Sequence, residues 1–159
     1  MSVDDDDGRV PVTDFDPLKL ENQLCFPLYA VSRDIVRRYT PLLRKIGLTY
    51  TQYIAMMVMW EERKVTFRDL GKRLHLDSGT LTPLVKTLEG KGLVRRTRNP
   101  EDGRVVDVTI TEQGLALRDR ALSVPEAMAA CLPIEPSDAV QLQKLLLRLM
   151  ASMEEPVGS

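Results

Sequence analysis

Between Asp77 and Thr111 the spacing of apolar residues switches from three-and-four to two, and the switch falls on a pair of glycines. Leu81, Leu84, Val85 and Leu88 recur on one face of a helix that Asp77 or Ser78 can cap and that Gly90 and Gly92 stop. Beyond Gly92, LVRRTR, the turn NPEDGR and VVDVTIT read as two alternating strands joined at a turn. Just upstream, VTFRDLGKRLHL sets Phe67, Leu70 and Leu74 on one face of another short helix. Two short helices joined by a tight turn form a helix-turn-helix, and the hairpin that follows it is a wing.

The flanks of this unit are helical. From Leu18 to Ile46, apolar residues including Leu28, Val31, Ile35, Tyr39 and Leu42 keep the period of one long amphipathic helix. Pro27 interrupts it. An interior proline removes a hydrogen bond and crowds the preceding turn, so a bend near Cys25 is expected if the helix begins before that residue. Gly47 fits the stop, and Thr49 or Thr51 fits the cap of a helix running to about Arg63. After the wing, Thr111 caps a second long helix, EQGLALRDRALSVPEAMAACL, and beyond Pro133 and Pro136 a final helix carries Leu142, Leu145, Leu149 and Met153. The expected fold class is mainly α with a small β-hairpin wing, as a single domain over 17–159 preceded by an acidic mobile arm over 1–16.

Charge is distributed unevenly. The first 16 residues hold six acids against Arg9, a balance of −5, so the body of a chain whose formal net charge is −1 is basic. Within 63–104 there are eleven Lys or Arg and five acids, a net of +6, which makes this segment the one that faces a polyanion. There is neither an apolar run of membrane-spanning length nor a basic start followed by an apolar stretch, so a cytoplasmic protein with no membrane partner is expected.

A helix-turn-helix lays its second helix in the major groove of DNA, and a wing reaches the flanking minor groove. Ser78, Thr80, Thr82 and Lys86 bring polar groups to the start of that helix, and Pro83 an apolar edge for a thymine methyl. Arg95, Arg96, Arg98 and, at the tip, Arg104 supply the wing. The run DSGTLTPLVKTLEGKGLVRRTRNPEDGRVVDVTITEQG resembles the recognition helix and wing of the MarR family of dimeric winged-helix regulators. That resemblance implies a winged helix-turn-helix over 48–111, dimerising through the helices of 17–47 and 112–155. It also implies double-stranded operator DNA as partner, with Arg104 entering the minor groove and Asp102 orienting it.

Within that family, ENQLCFPLYAVSRDIVRRY, GLTYTQYIAMMVMWE and LDSGTLTPL look like the organic-hydroperoxide regulators. The resemblance implies that Cys25 is the peroxide sensor, that Tyr29, Tyr39 and Tyr50 hold it, and that Cys131 resembles the resolving thiol of two-cysteine members, which pairs with Cys25 between subunits. The chemistry is consistent with this. A thiolate attacks a peroxide and needs donors nearby, and the sulfenic acid that results is relieved by a second thiol. Tyr29 lies one turn after Cys25, whereas Tyr39 is about 21 Å further along a continuous helix at ~1.5 Å per residue. A partner's Tyr39 reaches Cys25 if the two first helices cross near antiparallel. Against this stands packing, since cysteine is among the most buried residue types.

Other residues carry less. His75 has no Cys, His or carboxylate spacing that would form a metal site, and Trp60, Met56, Met57 and Met59 look like core. No Gly-rich phosphate loop, Gly-x-Ser-x-Gly elbow or His-Glu-x-x-His sequence is present, so neither a cofactor nor an enzyme is expected. The expected function is a repressor that an organic hydroperoxide releases from DNA. Two rivals are a repressor released by a small phenolic or carboxylate ligand, and a thiol peroxidase, which leaves the wing and the basic segment without a purpose.

Overall fold

The structure is a computed structural model that describes residues 16–154, so the arm expected over 1–16 lies outside the described residues apart from Asp16. The chain divides into two compact units that part within helix α1 (Cys25–Arg44), one ending at Arg37 and the other beginning at Arg38.

In the first unit Asp16 organises a turn. Its carboxylate accepts from the amide of Leu18 (2.9 Å), and its carbonyl from the amide of Lys19 (3.2 Å) and from Asn22 Nδ2 (2.8 Å). A single 3-10 turn, Leu20–Asn22, follows, and α1 starts only at Cys25. The helical period expected from Leu18 is therefore shorter at its start. Local side-chain bonds from Asp16 and Asn22 give this backbone an alternative to the helix, and Leu18, Leu20 and Leu24 stay exposed. Pro27 falls third in α1, where amides have no intrahelical acceptor, so it removes no bond and the condition for a bend is not met.

The second unit holds the core. Helix α2 (Tyr50–Glu62) is capped by Thr49 in a capping box with Gln52. Strand β1 (Lys64–Thr66) follows, then α3 (Phe67–Leu74) and α4 (Ser78–Gly90), then β2 (Val94–Arg98) and β3 (Val106–Ile110). The sheet is antiparallel in the order β1-β3-β2, with Val65 opposite Val108 and Arg96 opposite the same residue on the other side. The hairpin expected from sequence thus gains a third strand. Val65 and Thr66, read as the start of a helix, pair with β3 instead, and α3 begins after Thr66 accepts from the amide of Asp69 (3.1 Å).

Gly92, at φ 72°, lets the chain leave α4 in the left-handed region that a side chain would strain. Thr111 caps α5 (Glu112–Ala121), and α6 (Ser123–Cys131) follows. The single long helix expected here is interrupted at Leu122, because Pro125 has no N–H to offer the Ala121 carbonyl. Helix α7 (Pro136–Glu154) ends the described chain.

Leu43, Met56, Met59, Leu70, Val85 and Val108 are fully buried, and Leu81, Leu84 and Leu88 of α4 face inward as their spacing predicts. Met57, expected in the core, is instead 47% exposed, since it falls between the buried positions Met56 and Val58 on α2. Trp60 is half-buried and donates its Nε1–H to the Gly114 carbonyl at 2.8 Å. No helix among the described residues is long and apolar enough to cross a membrane.

Candidate functional site

Helices α3 and α4 form the turn expected from sequence. His75 closes α3 in the left-handed region (φ 52°), and its amide bonds back to the Lys72 carbonyl at 3.1 Å. Asp77 is the cap of α4. Its carboxylate accepts from the amide and the hydroxyl of Thr80, both at 2.9 Å, and these bonds hold the carboxyl below the usual carboxylate range. Ser78, Thr80, Pro83 and Lys86 are exposed along the start of α4, and Thr82 is half-buried. The hydroxyl of Thr80 donates to Asp77 and that of Thr82 to the Ser78 carbonyl (2.7 Å), so each keeps acceptor capacity for an outside donor while its own proton is in use.

The basic segment is narrower than its count suggests. Lys64 is paired with Asp107 (2.8 Å), and Arg73 forks onto Glu61 (2.8 Å) and Glu62 (2.6 Å). Lys91 donates to the Gly47 carbonyl (2.6 Å) and to Gln52 (2.8 Å). Arg96 lies against Glu89, which accepts from its backbone amide (2.9 Å) and from its guanidinium (2.8 Å from Nε, 2.6 Å from Nη2). Those two donations hold the Glu89 carboxyl below the usual range, the backbone bond most of all. Arg95, Arg98 and Arg104 remain exposed on the wing with Lys86 on α4. Asp102 accepts at 3.0 Å from the backbone amide of Arg104, so it shapes the tip through the main chain.

Sequence reasoning overlooked the wing's internal support. Asp107 is nearly buried on β3, and Asn99 at the end of β2 reaches it with Nδ2 at 3.1 Å. An acid flanked by two valines inside an alternating run was the available signal.

The thiols lie at helix ends. Cys25 is the first residue of α1 and exposed, and Tyr29, one turn on, is exposed with the Arg33 guanidinium 5.5 Å from its ring centre. Tyr39 belongs to the second unit, where its ring packs on Tyr50 at 5.0 Å and on Tyr53 at 5.9 Å, and Tyr53 meets Trp60 edge-on at 6.2 Å. Burial, then the neighbouring phenols, pushes the Tyr39 hydroxyl above its ordinary range, and burial with Tyr50 does the same to Tyr53. Both remain protonated donors at neutral pH. Tyr53 was not singled out from sequence. Cys131, the last residue of α6, is exposed, and its carbonyl accepts from Arg38 Nη1 at 2.9 Å. Among the described residues no group of Cys, His and carboxylates is placed to hold a metal ion.

Residues 37–120 match the family described as transcriptional regulator SarA/Rot. The chain is 42% identical over 141 residues to the organic hydroperoxide resistance transcriptional regulator of Bacillus subtilis, covering 89% of this chain and 96% of that protein. Among solved structures it is similar to reduced AbfR bound to DNA, at 36% identity and a TM-score of 0.72 over 85% of this chain and 92% of that one. AbfR, from Staphylococcus epidermidis, has also been solved with its disulfide formed. A MarR-family regulator from Rhodococcus matches at 26% identity and a TM-score of 0.74, over 83% of this chain and 95% of that one. The α3–α4 turn, the three-stranded wing and these similarities together make the chain a member of the MarR-type winged-helix transcriptional regulators, in the group that includes SarA and Rot.

Proposed function

We propose that the chain acts as a homodimeric repressor of operator DNA in the cytoplasm, and that an organic hydroperoxide releases it by oxidising Cys25. The observation that carries this reading is the exposed thiol at the first residue of α1, in a chain so similar to a regulator of organic hydroperoxide resistance. The Cys25 sulfur attacks the peroxide, an S–O bond forms as the O–O bond breaks, and the alcohol leaves with a proton. The partner subunit's Cys131 then attacks the sulfenic sulfur, an S–S bond forms, and water leaves. Tyr29 and the partner subunit's Tyr39 and Tyr50 serve as donors to the sulfur anion. Support for a disulfide step comes from AbfR, which has been solved in that state.

In this reading α4 and the wing hold the operator through Ser78, Thr80, Thr82, Pro83 and Lys86, with Arg95, Arg98 and Arg104 at the flank and Arg96 beside them. In this reading the protein works as a sensor and not as an enzyme, since the disulfide serves to release DNA. A hundredfold loss of DNA affinity on oxidation corresponds to about 2.7 kcal/mol, well within the ~4 to 10 kcal/mol that separates specific from non-specific binding.

A second effector chemistry has one observation behind it. A groove of about 380 Å³, lined by Tyr53, Met57, Trp60, Leu122 and Pro125 and rimmed by Glu61 and Arg118, is suited to a small aromatic acid.

The test is one equivalent of cumene hydroperoxide on the reduced protein, followed by a non-reducing gel and DNA release, with Cys25→Ser and Cys131→Ser alongside. A covalent dimer that needs both thiols and forms as DNA is lost supports the sensor. If the wild type stays monomeric on the gel and keeps its DNA, the peroxide mechanism fails and the groove reading replaces it.

A further inference from the structure

The wing tip hangs from one nearly buried carboxylate. Asp107 Oδ2, on a side chain 3% exposed, accepts from Lys64 Nζ at 2.8 Å and from Asn99 Nδ2 at 3.1 Å. The other end of the Asn99 amide, Oδ1, accepts from the backbone amides of Glu101 (2.9 Å) and Asp102 (3.2 Å). Asp102 in turn accepts from the amide of Arg104 at 3.0 Å. The loop is closed beneath these bonds, by the Asn99 amide on the Val105 carbonyl (2.8 Å) and the Val105 amide on the Asp102 carbonyl (2.9 Å).

This chain of bonds has a direction. A carboxylate only accepts, so Asp107 obliges Asn99 to present its NH2 inward, which leaves its carbonyl oxygen for the two tip amides. A carboxamide at 107 removes that obligation, because it can meet either end of Asn99. Across the sheet Asp107 stands opposite Thr66 and Thr97, and an ion pair whose lysine is 56% exposed contributes little net stability. What the pair does supply is a single arrangement of the tip.

We propose that Asp107 and Asn99 are positioning residues that set the wing tip, and through it determine how Arg104 engages the minor groove and which flanking bases the protein prefers. This rests on the DNA-binding reading above. Asp107 is buried and Asn99 half-buried, and both act through the main chain of 101–104.

The test uses full-length reduced protein, with a duplex that the wild type selects from a randomised pool. Asp107→Asn and Asn99→Ala should speed hydrogen exchange at the amides of Glu101, Asp102 and Arg104 by about tenfold or more in the free protein. On the selected duplex each should lower affinity about five- to tenfold and relax base preference at the flank while leaving the central positions unchanged. Asn99→Ala combined with Arg104→Ala should bind no more weakly than Arg104→Ala alone, a coupling that a merely destabilised fold would not produce. Wild-type exchange rates in Asp107→Asn overturn the relay whatever the DNA result. Faster exchange with unchanged flank preference, or losses that add to that of Arg104→Ala, overturn its role in recognition. A wild type that selects no duplex overturns the DNA-binding reading itself and this role with it, while the exchange rates still report the relay.

Discussion

Glu89 on α4 takes both the backbone amide and the guanidinium of Arg96 on β2, so one carboxylate joins the recognition helix to the first strand of the wing. Both side chains are about one-third exposed, which places the pair between a surface bridge and a buried one. Glu89→Gln should lower stability by about 1 kcal/mol at pH 7, seen as a smaller urea midpoint with an unchanged slope. The folded Glu89 carboxyl titrates below its unfolded value near 4.5, so its contribution is complete above that pH and is lost as pH falls through the lower, folded value. The gap between wild type and Glu89→Gln should therefore narrow as the pH falls below 4.5.

The same contact separates two wing arginines that sequence treats alike. Arg104 is exposed at the tip, whereas the Arg96 guanidinium is already bound. Arg104→Ala should weaken operator binding about tenfold and reduce the salt dependence by about one counterion. Arg96→Ala should change affinity less than Arg104→Ala and cost mainly stability. Titrations of both variants at two salt concentrations decide the matter, and equal losses in affinity would contradict the assignment.

Gly114 lets α5 start against the backbone that leads into β2. A Cβ there would stand 2.2 Å from the Leu93 carbonyl oxygen and 2.8 Å from Ile110 Cγ1, and backbone cannot give way as a side chain can. The Gly114 carbonyl also holds Trp60. Gly114→Ala should destabilise the protein by about 3 kcal/mol, with a blue- or red-shifted Trp60 emission as the indole bond is disturbed. A thermal melt indistinguishable from wild type would rule out this close approach.

Arg63 joins α2 to β1 with φ 64° and ψ −41°, a conformation that costs a residue with a Cβ. Its carbonyl accepts from the Ile110 amide at 2.9 Å, so the sheet holds it there. Arg63→Gly should raise stability by about 1 kcal/mol despite glycine's greater freedom in the unfolded chain, and chemical denaturation measures it. A loss of similar size would show that the side chain contributes packing that outweighs the strain.

The helix-turn-helix was legible because its signals are local. Thr49, Asp77 and Thr111 act as caps within three residues of the amides they bind, and the inward stripe of α4 needs only the helical period. Strand β1 was not legible, because three residues carry no period of their own and pair with β3 more than forty positions away. The break at Leu122 was written in Pro125, but a strong apolar pattern outweighed it. The site divides in the same way. The exposed cations of α4 and the wing are legible in the residue pattern, whereas the bonding that withdraws Lys64, Arg73, Lys91 and Arg96 depends on which acids, carbonyls and amides the fold brings near.

By itself the sequence determined the turn that joins α3 to α4, the two-stranded hairpin that follows, the inward face of α4 and its stop at the glycines, because each follows from periods and caps spanning a few residues. Only the tertiary structure decided which charges remain free, that Asp107 and Asn99 support the wing, and that Tyr39, Tyr50 and Tyr53 share one cluster. Those outcomes are set by distances between residues far apart in the chain, and a hydrogen bond or ion pair forms or fails within an ångström of separation that no local pattern encodes.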